Sequence, residues 1–128
     1  MQQKRTSREI GDIGEESVAA FLQKNGYEIL ERNFTVRGGE IDIIARKGER
    51  LAFVEVKTRK PGALVSGEKA LTKAKRNFLI RTAGIYYERY KKRFGTAVCR
   101  FDVAVVQLEN GKTERVRYYV SAFDAGGA

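Results

Sequence analysis

The stretch Gly39 to Arg59, GEIDIIARKGERLAFVEVKTR, decides the fold. Ile, Val, Leu and Phe fill two runs of strand length, and Gly48-Glu49 between them is a turn signal, so the stretch reads as a β-hairpin. A two-residue loop at Gly48-Glu49 and a four-residue loop from Lys47 to Arg50 give the same register. Asp42 then stands opposite Glu55, Glu40 opposite Lys57, Ile44 opposite Phe53 and Arg46 opposite Leu51. On the other face Ile41 meets Val56, Ile43 meets Val54 and Ala45 meets Ala52. Strand side chains alternate, so the two sets do not mix. One face is wholly apolar and belongs against a helix; the other is apolar near the turn and charged at its far end.

The charged end poses an electrostatic problem. Directly opposed side chains have Cβ atoms about 4.5–5.5 Å apart, and like charges there are destabilising. Asp42 facing Glu55 therefore needs a compensating device. One carboxyl can stay protonated, as in a carboxyl dyad. Lys57, two residues from Glu55 on the same face, can neutralise the pair. Or a divalent cation can sit between them on oxygen ligands, which suits magnesium or manganese. The bland alternative is a solvated charge cluster of Glu40, Asp42, Glu55 and Lys57 at a sheet margin. Two opposed acids, an adjacent lysine and an apolar reverse face together favour the cation site.

Outward from the hairpin, the elements follow in simple order. TSRE, Thr6 to Glu9, reads as a capping box opening a helix in which Ile10, Ile13, Val18, Phe21 and Leu22 recur at helical spacing, and KNG ending at Gly26 is its stop. Gly11 and Gly14 weaken the helix start or let another element approach its backbone closely. YEILERNFTV is a strand ending at the turn glycines Gly38 and Gly39, and RKPGALVSG after the hairpin is a loop. A long helix is expected from about Glu68 to Arg93, with Leu71, Ala74, Phe78, Thr82 and Ile85 along its buried stripe. AVCRFDVAVVQL, the turn ENGK and RVRYYVSAF complete the order α-β-β-β-α-β-β. This is an α/β chain with a small mixed sheet, helices packed on it, and one parallel strand pair spanned by the long helix. The 128 residues suit a single domain, with a core from about 10 to 123.

Composition narrows the chemistry. Twenty-five basic against 16 acidic residues give a net charge of +9, which points to a polyanionic partner. No apolar run reaches the ~20 residues of a membrane span, and no apolar segment follows the basic N-terminus as in a secretory signal, so a cytoplasmic protein with no membrane partner is expected. Cys99, the single cysteine, lies in an apolar run and reads as an inert core thiol. Histidine is absent, which removes His-based triads, general bases and imidazole zinc sites. Hydrolysis would rest on carboxylates, lysine and a hard metal ion. Tyr86, Tyr87 and Tyr90 extend the long helix's apolar stripe and read as core, with base stacking as the alternative.

The Asp of EIDIIA followed after twelve residues by EVK resembles the PD-(D/E)XK nuclease signature, with Ile41 where the generic motif has proline. GDIGEESVAAFLQKNGYEILERNF, GEIDIIA, LAFVEVKTR, EKALTKAKRNFLIRTAGIYY, RFDVAVV and the final SAF closely resemble the bacterial YraN family, described as Holliday junction resolvase-like. The likeness spans roughly Ile10 to Phe123; the histidine often found before the last AF in that family is missing from RYYVSAF. The resemblance implies a restriction-endonuclease-like core. It makes Asp42 and Glu55 the metal-binding acids for Mg2+ or Mn2+, with the Val56 carbonyl as a further ligand, Lys57 beside the attacking water and Glu15 as an additional acid, while Glu16 points elsewhere. Lys75 matches a basic residue near such sites. Arg37, Arg59, Lys73, Arg76 and Arg81 are the remaining candidates for phosphate contacts, which position nucleic acid without reading sequence. The expected function is a metal-dependent endonuclease, a hydrolase acting on DNA and selective for branched structures, working as a homodimer. The alternative is a non-catalytic nucleic-acid-binding module on the same fold.

Overall fold

The computed structural model describes residues 6–59 and 71–123. The elements are α1 (Ser7–Lys24), β1 (Glu28–Val36), β2 (Gly39–Lys47), β3 (Arg50–Arg59), α2 (Lys73–Phe94), β4 (Val98–Glu109) and β5 (Lys112–Phe123). This is the element order expected from sequence. The five strands form one sheet in the order β1-β2-β3-β4-β5. β3 and β4 are parallel and α2 is the crossover between them; the other neighbours are antiparallel. The expected loop from Arg59 to Gly67 lies outside the described residues beyond Arg59.

Each helix covers one face. Val18, Ala19 and Leu22 of α1 pack on Ile43, Ala45, Ala52, Val54, Ala104 and Val106. Leu79, Ala83 and Tyr90 of α2 pack on Ile41, Ile44, Leu51, Phe53, Phe101 and Val103. Burying one such large aliphatic side chain contributes about 1.5–3 kcal/mol. α1 starts as read: Thr6 caps it, accepting from the Glu9 N–H at 3.1 Å while its hydroxyl donates to the Glu9 carboxylate. Gly26, with φ +88°, follows its end.

α2 differs from expectation in boundary and phase. Thr72 is its N-cap, accepting from the Lys75 N–H, so the helix begins at Lys73; Leu71 is buried but precedes it. The expected start at Glu68 lies outside the described residues. The buried stripe runs through Leu79, Thr82, Ala83 and Tyr90, whereas Phe78 is 49% and Ile85 37% exposed. Both phases contain apolar residues, and the late start turns the second toward the sheet. Tyr86, Tyr87 and Tyr90 are core aromatics as expected, Tyr86 standing edge-on to Phe34 and Phe53. Cys99 corrects the sequence reading: it is exposed near the start of β4, before the strand enters the core.

Two close approaches fix the helices against the sheet. A Cβ at Gly14 would meet the Thr58 hydroxyl of β3, and a Cβ at Gly39 would meet the Thr82 hydroxyl of α2. Gly14 is thus a contact glycine, while Gly11 has open space around it.

Candidate functional site

The hairpin register holds from Lys47↔Arg50 through Ala45↔Ala52 to Ile43↔Val54. There the ladder stops. Instead of pairing across to Glu55, Asp42 accepts a hydrogen bond on Oδ2 from the Val56 N–H at 2.8 Å. A side-chain oxygen thus occupies the place of a strand carbonyl, and the two strands part at the end that carries the acids. The N–H and C=O of one strand residue point to the same side, so the Val56 carbonyl faces the same opening.

The expected face assignment fails at one residue. Ile41 joins Ile44 in the α2 core, although strict alternation groups it with Ile43 and Ala45 against α1. Asn33 on the neighbouring strand has φ +54°, a left-handed conformation that switches the strand's faces. Arg32 accordingly reaches Glu16 of α1 at 2.7 Å, while Phe34 packs on Tyr86 of α2. Their partners Ile43 and Ile41 follow the same switch. Asp42 lies between the two, which leaves its carboxyl directed along the sheet toward β3.

Two acids, Asp42 and Glu55, face this opening, and the charges of Glu15 and Glu40 reach Asp42 from farther off. Glu55 is 5% exposed on the α2 side of β3. Lys57 Nζ lies 3.2 Å and Lys75 Nζ 3.6 Å from the same oxygen, Glu55 Oε1. Glu55 Oε2 is buried and accepts no hydrogen bond from the described residues. Burial, and next the Glu55 carboxylate, push the Asp42 carboxyl up to about 8; the Val56 N–H opposes this, and Glu15 and Glu40 add to it. Glu15 enters from α1. Burial raises its carboxyl too, against the pull of a hydrogen bond from the Asn33 side chain and the charge of Arg32. Glu15 Oε1 is the second buried oxygen without a partner among the described residues. Glu16 points away, to Arg32, as expected.

This donor set fits a hard cation: carboxylate oxygens, two of them buried and unbonded, beside a strand carbonyl. Among the described residues no three acidic or thiol side chains are already grouped as a closed cation site. The fit therefore rests on Asp42 and Glu55 with the Val56 carbonyl, and Glu15 stands as an outlying acid.

The basic candidates separate. Lys57 and Lys75 are in the site. Arg81 clamps the β1–β2 turn through the Arg37 and Gly38 carbonyls at 3.4 and 3.3 Å. Arg37 is exposed on that turn, Lys73 is exposed in the first turn of α2, and Arg59 and Arg76 are half-buried. Asn33 was absent from the sequence reading; an Asn in a strand run, where left-handed φ is tolerated, was the available signal.

A second buried acid went unread. Asp102 is 1% exposed and takes hydrogen bonds from Arg100, Tyr118 and the Ser121 N–H, and Arg100 also donates to the Tyr27 hydroxyl. Arg and Asp two apart in an apolar strand was the clue, since both then share a face.

The sequence profile described as uncharacterised protein family UPF0102 matches residues 14–106. The chain belongs to the UPF0102 (YraN) family. A UPF0102 protein of Syntrophomonas wolfei is 41% identical over 117 residues, covering 91% of this chain and 99% of that one. One from Trichlorobacter lovleyi is 40% identical over 116 residues, 90% of each. One from Caldicellulosiruptor saccharolyticus is 44% identical over 107 residues, 84% of this chain and 88% of that one. Among solved structures, a repair endonuclease from Pyrococcus abyssi aligns with TM-score 0.36 and 12% identity, covering 87% of this chain but 42% of that one. A likeness that loose carries no weight for chemistry. No described helix is long and apolar enough to cross a membrane.

Proposed function

We propose that this UPF0102 member is a divalent-cation-dependent endonuclease hydrolysing phosphodiester bonds, with DNA as substrate. The observation that carries the reading is the parted end of the β2–β3 hairpin, where half-buried Asp42 lies against buried Glu55, with Lys57 and Lys75 on a single Glu55 oxygen. A purely structural acid pair gains nothing from leaving Glu55 Oε2 unbonded, because a buried acceptor without a donor costs about 1–3 kcal/mol.

Asp42, Glu55 and the Val56 carbonyl would hold Mg2+ or Mn2+, with Glu15 as the further acid. A bound ion of this kind supplies charge neutralisation and an activated water for in-line attack. The remaining roles fall to the chain itself. Asp42 gives up its proton as the site fills. Lys57 offsets phosphate charge and orients the water through its position beside Glu55. Lys75 holds Glu55 from the α2 side. The first turn of α2 contains Lys73 and Lys75 and no acid, the reverse of what the helix dipole favours. An incoming phosphate, held by these cations and the helix N-terminus, relieves that arrangement.

The test is cleavage of labelled linear, flapped and four-way DNA with Mg2+ or Mn2+, comparing wild type with Glu55→Gln and Lys57→Ala. Each substitution is expected to cost about 100-fold or more. Cleavage surviving both sinks the site. Binding without cleavage under every metal condition leaves the alternative, a nucleic-acid-binding module. Preference for the four-way substrate tests branch selectivity. Symmetric junction cleavage further requires a homodimer, which light scattering checks.

A further inference from the structure

The strand register assembles a second group of cations beside the carboxylate opening. Lys57 pairs with Val105, and Val105 with Arg117; Arg59 pairs with Gln107, and Gln107 with Arg115. The intervening residues fix which way these four point. Thr58 touches Gly14 of α1, and Val116 and Tyr118 pack in the α1 core. Lys57, Arg59, Arg115 and Arg117 therefore all stand on the opposite face, the one that carries Glu55. Neighbouring strands are about 4.8 Å apart and alternate residues about 6.6–7 Å apart. The four Cα positions thus form a grid of about 10 by 7 Å across β3, β4 and β5.

This grid is uncompensated. Along the paired stretches of β3, β4 and β5 alternation gives that face two acids: the buried Glu55, already shared by Lys57 and Lys75, and the exposed Glu109 at the β4–β5 turn, opposite Lys112. Arg115 and Arg117 are exposed, and among the described residues no carboxylate lies within ion-pair distance of them or of Arg59. Several cations elsewhere are paired, as in Arg32–Glu16, Arg46–Glu28 and Lys91–Glu88. Charges held within about a Debye length of one another, roughly 8 Å, build a common field.

We infer that Arg115 and Arg117 of β5, with Arg59, form a phosphate-binding shelf that carries the nucleic-acid backbone from the carboxylate opening across the sheet to its β5 edge. Duplex DNA presents one phosphate per ~3.4 Å of each strand, so a grid ~10 Å long faces about three phosphates of one strand. The shelf rests on the nuclease reading for its partner and names the path of that partner. It contributes affinity without sequence preference, because it meets phosphates alone.

The experiment is fluorescence anisotropy of the full chain with a 20-base-pair duplex and a 20-nucleotide single strand, in EDTA, across a salt series. Wild type is compared with Arg115→Ala/Arg117→Ala, with Arg115→Lys/Arg117→Lys, and with Lys24→Ala/Arg50→Ala, which removes two exposed cations elsewhere. Losing two phosphate contacts should flatten the slope of log K against log salt by about 1.8 for duplex and about 1.4 for the single strand. The lysine pair should keep the wild-type slope, and so should the distant pair. A wild-type slope in the alanine pair, with DNA still bound, overturns the shelf and leaves the nuclease reading standing. Equal flattening in the distant pair also overturns it, in favour of diffuse charge. No binding by wild type to either probe overturns both readings together.

Discussion

Asp102 and Asp42 are the same residue type in the same structural predicament, and the fold treats them oppositely. Each sits in a strand where the ladder breaks, and each accepts a hydrogen bond from a backbone N–H of the neighbouring strand: Ser121 for Asp102, Val56 for Asp42. Asp102 goes on to collect Arg100 through two nitrogens and the Tyr118 hydroxyl. Tyr118 is itself held protonated, first by burial and then by the Asp102 charge. Among the described residues Asp42 receives no further hydrogen bond, and it lies against Glu55. This sheet can therefore satisfy a buried carboxylate completely. Where it leaves one short, the shortfall belongs to the site.

Breaking the satisfied side should give the largest effect. Asp102→Ala leaves Arg100 buried without its partner and is expected to cost about 3–5 kcal/mol in urea unfolding. A loss below ~1 kcal/mol would mean the two acids are not different in kind. Next in size is the response to metal. Mn2+ at a hundred times its Kd should stabilise wild type by about 2.7 kcal/mol in thermal unfolding, and should leave Glu55→Gln unchanged.

The pH dependence sharpens the contrast from the other direction. Asp42 has a folded value of about 8 against 3.8 for an ordinary aspartate. The folded chain then binds more protons than the unfolded one between those values, so its metal-free stability should fall as pH rises from 4 to 8. Asp42→Asn should flatten that fall and raise the midpoint at pH 8 by about 5 °C, a gain on the order of 1–2 kcal/mol. A drop in the midpoint at pH 8 would contradict the assignment. The smallest expected change is at Asn33. Asn33→Gly keeps the left-handed backbone but removes the amide from Glu15, costing about 1 kcal/mol or less, while Asn33→Ala adds backbone strain. Equal losses in the two variants would remove the left-handed backbone of Asn33 from the account.

Much of this architecture could be read from residues. The hairpin register was legible because a two-residue loop leaves one alternation and the apolar pattern admits one phase. It lapsed at Ile41 because a φ angle on another strand, at Asn33, reverses the faces of both, and no periodicity within β2 records that. The phase of α2 was ambiguous for a different reason: Phe78 and Leu79, or Ile85 and Tyr86, offer equivalent apolar stripes until the cap at Thr72 is known. Asp42, Glu55 and Lys57 were visible as misplaced charges. Lys75 was named by resemblance, but its contact with Glu55 required the crossover helix to be set in space, and the Arg100–Asp102–Tyr118 cluster required β4 and β5 to be aligned. Arg115 and Arg117 became informative only when the parallel pairing put them in rows with Lys57 and Arg59.

The two glycine–threonine contacts have a mechanical consequence. Gly14 against Thr58 and Gly39 against Thr82 leave no methylene between helix and sheet, one on each side of the acids. The gap between the jaws is gauged by two hydroxyl groups. Neither contact leaves slack between its helix and the sheet, so on the proposed nuclease reading a bulky polymer would have to reach the carboxylates along the strand ends.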